Sequence, residues 1–148
     1  MADLDSVMNE SLVKASSHSK KVYGQNPLTA QEVLDLANGQ ALSLAATVKR
    51  EGKPHLSPVD LVAVGGKLFV GTDKNTARFK NLKQNPSITI LIAQGWKRQA
   101  ILEGTAQFLD LESEQAKKVL EAEKRKLGWT TETIAELLPE KVLTWKAK

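Results

Sequence analysis

The segment of this sequence best suited to bind a ligand runs from Gly71 to Lys80 and reads GTDKNTARFK. It leaves an apolar run, turns through polar residues and enters a helical pattern that Thr76 would cap. The start of a helix offers unpaired N–H groups and the positive end of its dipole, and Thr72, Thr76 and Arg78 add hydroxyls and charge. These groups predict a phosphate site. A capped helix with an exposed basic face is the alternative that the segment alone leaves open.

Other kinds of catalytic site find little support in the residue types. The chain has no cysteine, which excludes disulfides, thiolate nucleophiles and cysteine-ligated metals. Its two histidines, His18 and His55, have no second ligand at metal-binding spacing, so a zinc site is not expected. Neither a P-loop nor a serine nucleophile elbow occurs. The acidic residues are scattered over helical segments, where we expect solvated faces and no catalytic carboxylate pair.

Length and composition favour a single cytoplasmic domain. The 148 residues are 41% apolar and 26% charged, as in ordinary globular proteins. No stretch approaches the roughly 18 apolar residues of a membrane span, and the acidic first residues do not resemble a secretory signal. The net charge of +4 favours anionic partners, but one tyrosine and three phenylalanines offer little base stacking. We therefore expect neither a membrane nor a nucleic acid as partner.

The spacing of apolar residues predicts strands in most of the chain. Residues 1–27 are interpreted as a partly mobile N-terminal extension, with an amphipathic turn near Val7 and a loop or mobile arm over 16–21; residues 28–148 form the domain. A capping box at Thr29 begins a helix that ends at Asn38. Strands are predicted at 41–48, 55–64, 67–72, 87–93, 99–109 and 142–145, and helices at 76–84, 113–127 and 130–138. Without βαβ alternation, these elements predict a small, closed or nearly closed antiparallel barrel.

Five stretches, taken in order, resemble the flavin-binding split-barrel family typified by pyridoxamine 5′-phosphate oxidase. They are LAATV at 44–48, GKPHLSPV at 52–59, KLFVGTD at 67–73, RFKNLKQNP at 78–86 and EGTA at 103–106. The resemblance implies a mainly β fold with flanking helices, a six-stranded antiparallel split β-barrel of Greek-key type. It also implies that flavin mononucleotide (FMN) binds at the interface of a homodimer.

The resemblance assigns roles to individual residues of this chain. The ring-lining residues would be Ser57, Pro58, Val59 and Asp60, the phosphate ligands Thr72, Thr76 and Arg78, and the ring or ribityl contact Gln99. A Ser-Arg-Lys motif of the family falls on Thr76-Ala77-Arg78, so one basic residue is missing, and Lys74 or Lys80 is the candidate to replace it. Trp96 either covers the ring from the partner subunit or packs its own loop.

A dimer is also expected from the size of the barrel. Six strands enclose little room for a three-ring cofactor, so the ring must lie in an outer groove with a second subunit as its wall. Alternation along one strand supports this, since Ile88, Ile90 and Ile92 would face one side and Leu91 the other.

The function predicted from these residues is that of an FMN-dependent oxidoreductase acting on a small molecule. Flavin supplies the hydride chemistry, so the protein needs only to bind, orient and tune it, and no acid–base dyad is required. The chain ends in LTWKAK, without the basic and histidine residues that hold pyridoxamine phosphate in the oxidase, so vitamin B6 oxidation is not expected. Two alternatives remain open: a reductase that uses the deazaflavin coenzyme F420 on the same fold, and a non-catalytic flavin-binding protein.

Overall fold

A computed structural model describes residues 3–148 of the chain. The helices within these residues are α1 (Leu4–Lys14), α2 (Ser17–Tyr23), α3 (Ala30–Asn38), α4 (Ala77–Gln84) and α5 (Glu114–Leu127). The strands are β1 (Leu42–Val48), β2 (Pro54–Pro58), β3 (Leu61–Val64), β4 (Lys67–Thr72), β5 (Ser87–Gln94), β6 (Arg98–Phe108) and β7 (Thr133–Lys146). None of the helices formed by residues 3–148 has the length and apolar character needed to cross a lipid bilayer.

All of these strands join in one antiparallel sheet with the order β2-β1-β5-β6-β7-β4-β3. The predicted fold class, an antiparallel split barrel with flanking helices, is confirmed. The strand count is seven because the predicted strand at 55–64 is two strands, β2 and β3, at opposite edges of the sheet. Pro58 cannot donate to a ladder, and the chain leaves β2 there, with the N–H of Val59 bonded to the Ser43 carbonyl oxygen at 3.0 Å.

The core lies on the inner face of the sheet. Ile88, Ile90 and Ile92 are buried, whereas Leu91 lies on the other face and is half-buried, so the predicted alternation along β5 is confirmed. In the ladder, Ala45 of β1 pairs with Ile90, and Ile90 pairs with Leu102 of β6. Burying such aliphatic side chains stabilises a protein by about 1.5–3 kcal/mol each.

Two capped helices hold the inner face closed. The capping box at Thr29 is confirmed: its hydroxyl accepts from the Glu32 N–H at 3.1 Å, and its own N–H donates to Glu32 Oε1 at 3.0 Å. Thr76 caps α4 by accepting from the Phe79 N–H at 3.2 Å. Each cap satisfies backbone donors that a helix start leaves unpaired, and Leu82 of α4 enters the core.

The prediction of a helix over residues 130–138 is wrong. Residues 133–138 belong to β7, a 14-residue strand that pairs with both β6 and β4, and residues 130–132 lead into it without helix. Residues 133–137 are buried without interruption, as expected for a central strand covered on both faces. Pro139 is tolerated because it lies opposite Gly104, where the register of β6 shifts at a β-bulge.

The N-terminal segment is more ordered than the sequence suggests. The expected turn near Val7 is the three-turn helix α1, whose Leu4, Val7 and Met8 join the core cluster. A loop or mobile arm over 16–21 is not found, because helix α2 covers most of that range behind the cap of Ser16. Helix α1 packs on β7, where Ser11 Oγ accepts from the Val142 N–H at 2.8 Å. The domain boundary at residue 28 and the partial mobility before it stay predictions.

Candidate functional site

Arg78 joins the ends of β2 and β4 to the first turn of α4. Its Nε donates to Thr72 Oγ1 at 3.1 Å, and its Nη1 donates to Ser57 Oγ at 2.9 Å and to the Pro58 carbonyl oxygen at 3.2 Å. Its Nη2 donates to the Gly71 carbonyl oxygen at 3.3 Å. The structure therefore brings four of the predicted site residues together; we call Ser57, Pro58, Thr72 and Arg78 the Arg78 cluster.

The turn between β4 and α4 aims Arg78 back over the strand ends. The Thr76 N–H donates to the Asp73 carbonyl oxygen at 3.2 Å, and the Thr76 hydroxyl donates to the same oxygen at 2.8 Å. This turn places Arg78 in the first helical turn, directly after Ala77. The N–H groups of these two residues have no acceptor within the helix, since the first turn of any helix lacks them. The Thr76 hydroxyl is used by the cap, and the N–H groups of Ala77 and Arg78 remain as backbone donors at the start of α4.

The donors of Arg78 are almost all used within the chain. A guanidinium has five N–H groups, and four of them donate to oxygens of Ser57, Pro58, Thr72 and the neighbouring Gly71. Within residues 3–148 the second N–H on Nη2 has no acceptor, so it is available to a ligand. Thr72 is fully buried beneath this side chain, so its hydroxyl holds Arg78, and an incoming anion meets the guanidinium first. A direct contact between Thr72 and a phosphate therefore stays a prediction.

The charge of Arg78 is balanced by two carboxylates. Burial lowers the pKa of Arg78, and Asp60 and Asp73 oppose this by stabilising the charged guanidinium. Both acids are exposed at the surface. An anion bound at this place must therefore rely on directed hydrogen bonds more than on an excess of positive charge.

The predicted ring-lining residues do not form one continuous surface. Ser57 pairs with Ala45 and faces inward, whereas Pro58 pairs with Leu44 and lies on the exposed outer face. The side chain of Val59 is buried in the core, and Asp60 lies exposed in the link between β2 and β3. Only the first two of these residues contact Arg78, so the role of all four in lining a ring stays a prediction.

Gln99 lies apart from the Arg78 cluster. It is the second residue of β6, three strands away from β2, and its Nε2 donates to the Gly95 carbonyl oxygen at 3.2 Å. Opposite it on β7 is Trp145, and in the preceding turn Trp96 is 82% exposed. Trp96 therefore does not pack its own loop, and we call Trp96, Gln99 and Trp145 the tryptophan patch.

The outer face of the sheet carries a row of apolar side chains between these two groups. Directly paired residues of antiparallel strands share one face, and the row consists of Pro58, Leu44, Leu91, Ile101 and Leu143. Beside it Leu56 is 65% exposed, and the next row runs from Leu42 through Ala93 and Gln99 to Trp145. On this face Leu42, Leu56 and Pro58 are exposed, Leu44, Leu91 and Ile101 are half-buried, and Leu143 is buried.

Glu123 is a residue near the site that the sequence analysis missed. Acids on helices were expected on solvated faces, and for this one the expectation is wrong, because only 1% of its surface is exposed. A signal was available, since Glu123 follows Val119 by four residues on the apolar stripe of α5. Its carboxylate lies against Gly71, immediately behind the Arg78 cluster.

Residues 29–148 match the protein family described as pyridoxamine 5′-phosphate oxidase. This chain belongs to that family. The suspected resemblance is thereby confirmed, and it extends over the helix α3, all seven strands and the Arg78 cluster.

Solved structures of the pyridoxamine 5′-phosphate oxidase-like fold resemble this one at low sequence identity. A conserved hypothetical protein of Mycobacterium tuberculosis is 18% identical, with a TM-score of 0.69 over 84% of this chain and 89% of the other. A Listeria innocua protein named for pyridoxamine 5′-phosphate oxidase is 14% identical, with a TM-score of 0.64 over 80% and 98%. The heme storage protein HutZ of Vibrio cholerae is 18% identical, with a TM-score of 0.64 over 78% and 92%. At these identities the similarity establishes the fold alone.

Proposed function

We propose that this member of the pyridoxamine 5′-phosphate oxidase family binds FMN and uses it as an oxidoreductase on a small molecule. The observation that carries the proposal is the Arg78 cluster, in which a guanidinium keeps one free N–H beside the start of α4. A helix start and an arginine are both preferred partners of phosphate groups. The cytoplasmic location expected from the sequence is part of this proposal.

The residues of the cluster fit a phosphorylated flavin. The phosphate would be held by Arg78 Nη2 and by the backbone N–H groups of Ala77 and Arg78, which have no helical acceptor. On β2, two residues before Ser57, His55 Nδ1 is a buried nitrogen without a hydrogen-bond partner among the described residues 3–148, and a bound group beside it would supply one. When bound, the flavin would supply hydride transfer, while these residues bind and orient it.

A second copy of the chain is the proposed partner at the outer face. Within one chain Gln99 lies three strands away from β2. Trp145 lies near the end of β7 opposite to Thr133, which pairs with Thr72, so one chain alone does not enclose a ring between the two groups. Two outer faces packed together would cover the apolar row and could bring the exposed Trp96 of one copy toward the cluster of the other. The proposed site is therefore shared by two subunits.

Titration with FMN tests the cofactor. We expect the apo-protein to bind it with micromolar or tighter affinity, about −8 kcal/mol or better, and to quench or shift its fluorescence. Bound flavin absorbs near about 450 nm and a deazaflavin near about 420 nm, so the spectrum identifies either coenzyme. No binding of FMN, together with binding of F420 or an intense Soret band after addition of heme, would reject the proposal. The heme outcome matters because HutZ is a heme storage protein of the same fold.

Substitution of Leu56 by glutamate tests the shared site. A buried, unpaired carboxylate is costly, so sedimentation should shift from a dimer to a chain mass of 16.2 kDa, and FMN affinity should fall with it. Val13→Glu is the matched control, because Val13 is an exposed aliphatic residue on α1, away from the outer face. Wild-type protein that sediments as a monomer with FMN bound would contradict the dimer.

A further inference from the structure

Glu123 carries a buried carboxyl group, and within residues 3–148 its side-chain hydrogen bonds are all made with Thr131. Its Oε1 accepts from the Thr131 N–H at 2.5 Å, and its Oε2 lies 2.8 Å from Thr131 Oγ1. On its other side Oε2 touches Gly71, where the atoms of a Cβ would have no room. The Gly71 carbonyl oxygen in turn accepts a hydrogen bond from Arg78 Nη2, so Glu123 packs against the end of β4 on the side opposite to Arg78.

The single hydroxyl proton of Thr131 bears on whether the Glu123 carboxyl is protonated or ionised. Thr131 Oγ1 is also 3.0 Å from the Thr133 carbonyl oxygen, and a hydroxyl has one proton for these two acceptors. If Glu123 is ionised, that proton makes only one of these two contacts a hydrogen bond, although the Thr133 carbonyl oxygen keeps Thr72 as its partner in the ladder. If Oε2 carries a proton, Glu123 donates to Thr131 and Thr131 donates to Thr133, and every group is satisfied.

The charges around Glu123 also favour the protonated carboxyl. Asp60, in the β2–β3 link, and Asp73, after β4, both repel a negative charge at this position, whereas Arg78 lies on the far side of Gly71. On α5 itself, Lys126 is occupied by the carbonyl oxygens of Ala37 and Leu61, each 2.7 Å from its Nζ. Burial raises the pKa of Glu123, the hydrogen bonds from Thr131 lower it, and the two aspartates raise it further.

We propose that Glu123 is a protonated positioning residue that fixes the Gly71–Thr72 end of β4 and keeps negative charge away from the anion site in front of it. The part that concerns the anion rests on the proposed FMN function. The carboxyl stays neutral while the flavin phosphate is bound, and its ionisation at higher pH weakens that binding. Glutamine has the shape and the hydrogen-bonding pattern of the protonated acid, so Glu123→Gln mimics the proposed state.

Stability against pH tests the protonation without any cofactor. Because the folded pKa is raised, the folded chain keeps a proton that the unfolded chain releases, and wild-type stability falls as pH rises from the ordinary carboxyl pKa to the raised one. In that window the wild-type unfolding constant gains up to about tenfold per pH unit relative to Glu123→Gln. Glu121→Gln, an exposed change on the same helix, should follow the wild type. A Glu123→Gln protein that is unfolded, or equally destabilised at every pH, overturns the proposal.

Flavin binding across the pH range in which the stability measurement shows Glu123 to ionise tests the coupling to the anion site. Wild-type affinity for FMN should fall by roughly tenfold as Glu123 ionises, a size set by charges several ångströms apart. Glu123→Gln should keep its affinity, and riboflavin, which lacks the phosphate, should bind both proteins with little pH dependence. Equal pH profiles for wild type and Glu123→Gln overturn the coupling. If FMN binds neither protein at any pH, the proposed function fails, while the stability measurement still decides whether Glu123 is protonated.

Discussion

Arg78→Ala should weaken FMN binding by about ten- to a hundredfold, because a charge-assisted hydrogen bond to phosphate is worth about 1.5–3 kcal/mol. The same change should lower the free energy of unfolding by about 2–3 kcal/mol. It removes four donors at once, and the oxygens of Ser57, Pro58, Gly71 and Thr72 lose the guanidinium that joins them. Isothermal titration and denaturant unfolding measure the two losses separately.

The hydrogen bonds by which Arg78 joins β2 to β4 predict that Arg78→Ala weakens riboflavin binding as well. Riboflavin has no phosphate, so a residue that acts only on the phosphate would leave its affinity unchanged. Arg78 also holds Ser57 and the Pro58 carbonyl, which belong to the predicted ring-lining strand. We therefore expect riboflavin affinity to fall too, but by less than FMN affinity. Arg78→Lys keeps the positive charge but loses the planar set of guanidinium N–H donors. It should therefore recover part of the preference for FMN over riboflavin without restoring the free energy of unfolding.

Two controls isolate the role of Arg78. Lys80→Ala removes an exposed cation from the same helix and should change FMN affinity by less than about threefold at physiological salt. Added salt should weaken the wild type more than Arg78→Ala, since screening acts on the charged contact. Equal FMN affinities of wild type and Arg78→Ala at low salt would remove this residue from the phosphate site and leave Lys74 or Lys80 as the next cation to test.

Gly104→Ala should strongly destabilise the protein although it adds only one methyl group. A Cβ at this position would collide with the carbonyl oxygen of Leu138 in β7, and its carbon and the Cα of Pro139 would be about 3 Å away. These are backbone atoms of a central strand, so no side-chain rotation relieves the clash. Overpacking of this kind costs about 3 kcal/mol or more, which a shift of the urea midpoint at constant slope would report.

Gly39→Ala is the matched control for this clash. At Gly39 the nearest atom to an added Cβ is the Asp35 carbonyl oxygen at 3.2 Å, and φ is −88°, which any residue adopts. A small adjustment suffices there, and we expect a loss below about 1 kcal/mol. If Gly104→Ala were as mild as this control, the β6–β7 pairing at the bulge would have to be looser than the register implies. The predicted clash also gives a steric reason for glycine in the EGTA stretch.

The sequence by itself determined the elements that rest on local interactions. The capping box at Thr29 and the cap at Thr76 were both predicted and are both present. Caps and tight turns involve residues at most four positions apart, so their signals stand together in the chain. The ordered motifs also predicted the family, which residues 29–148 confirm.

Only the tertiary structure decided which residues meet across long distances in the chain. Residues 133–138 became strand because β4 and β6 offered partners on both sides, and pairing of this kind leaves no local signal that outweighs a helical pattern. Glu123 is buried because Thr131 and Gly71 close around its carboxyl, although its position on the apolar stripe hinted at it. Arg78 was predicted as a phosphate ligand, but the hydrogen bonds by which it joins β2 to β4 depend on strand ends that meet only after folding.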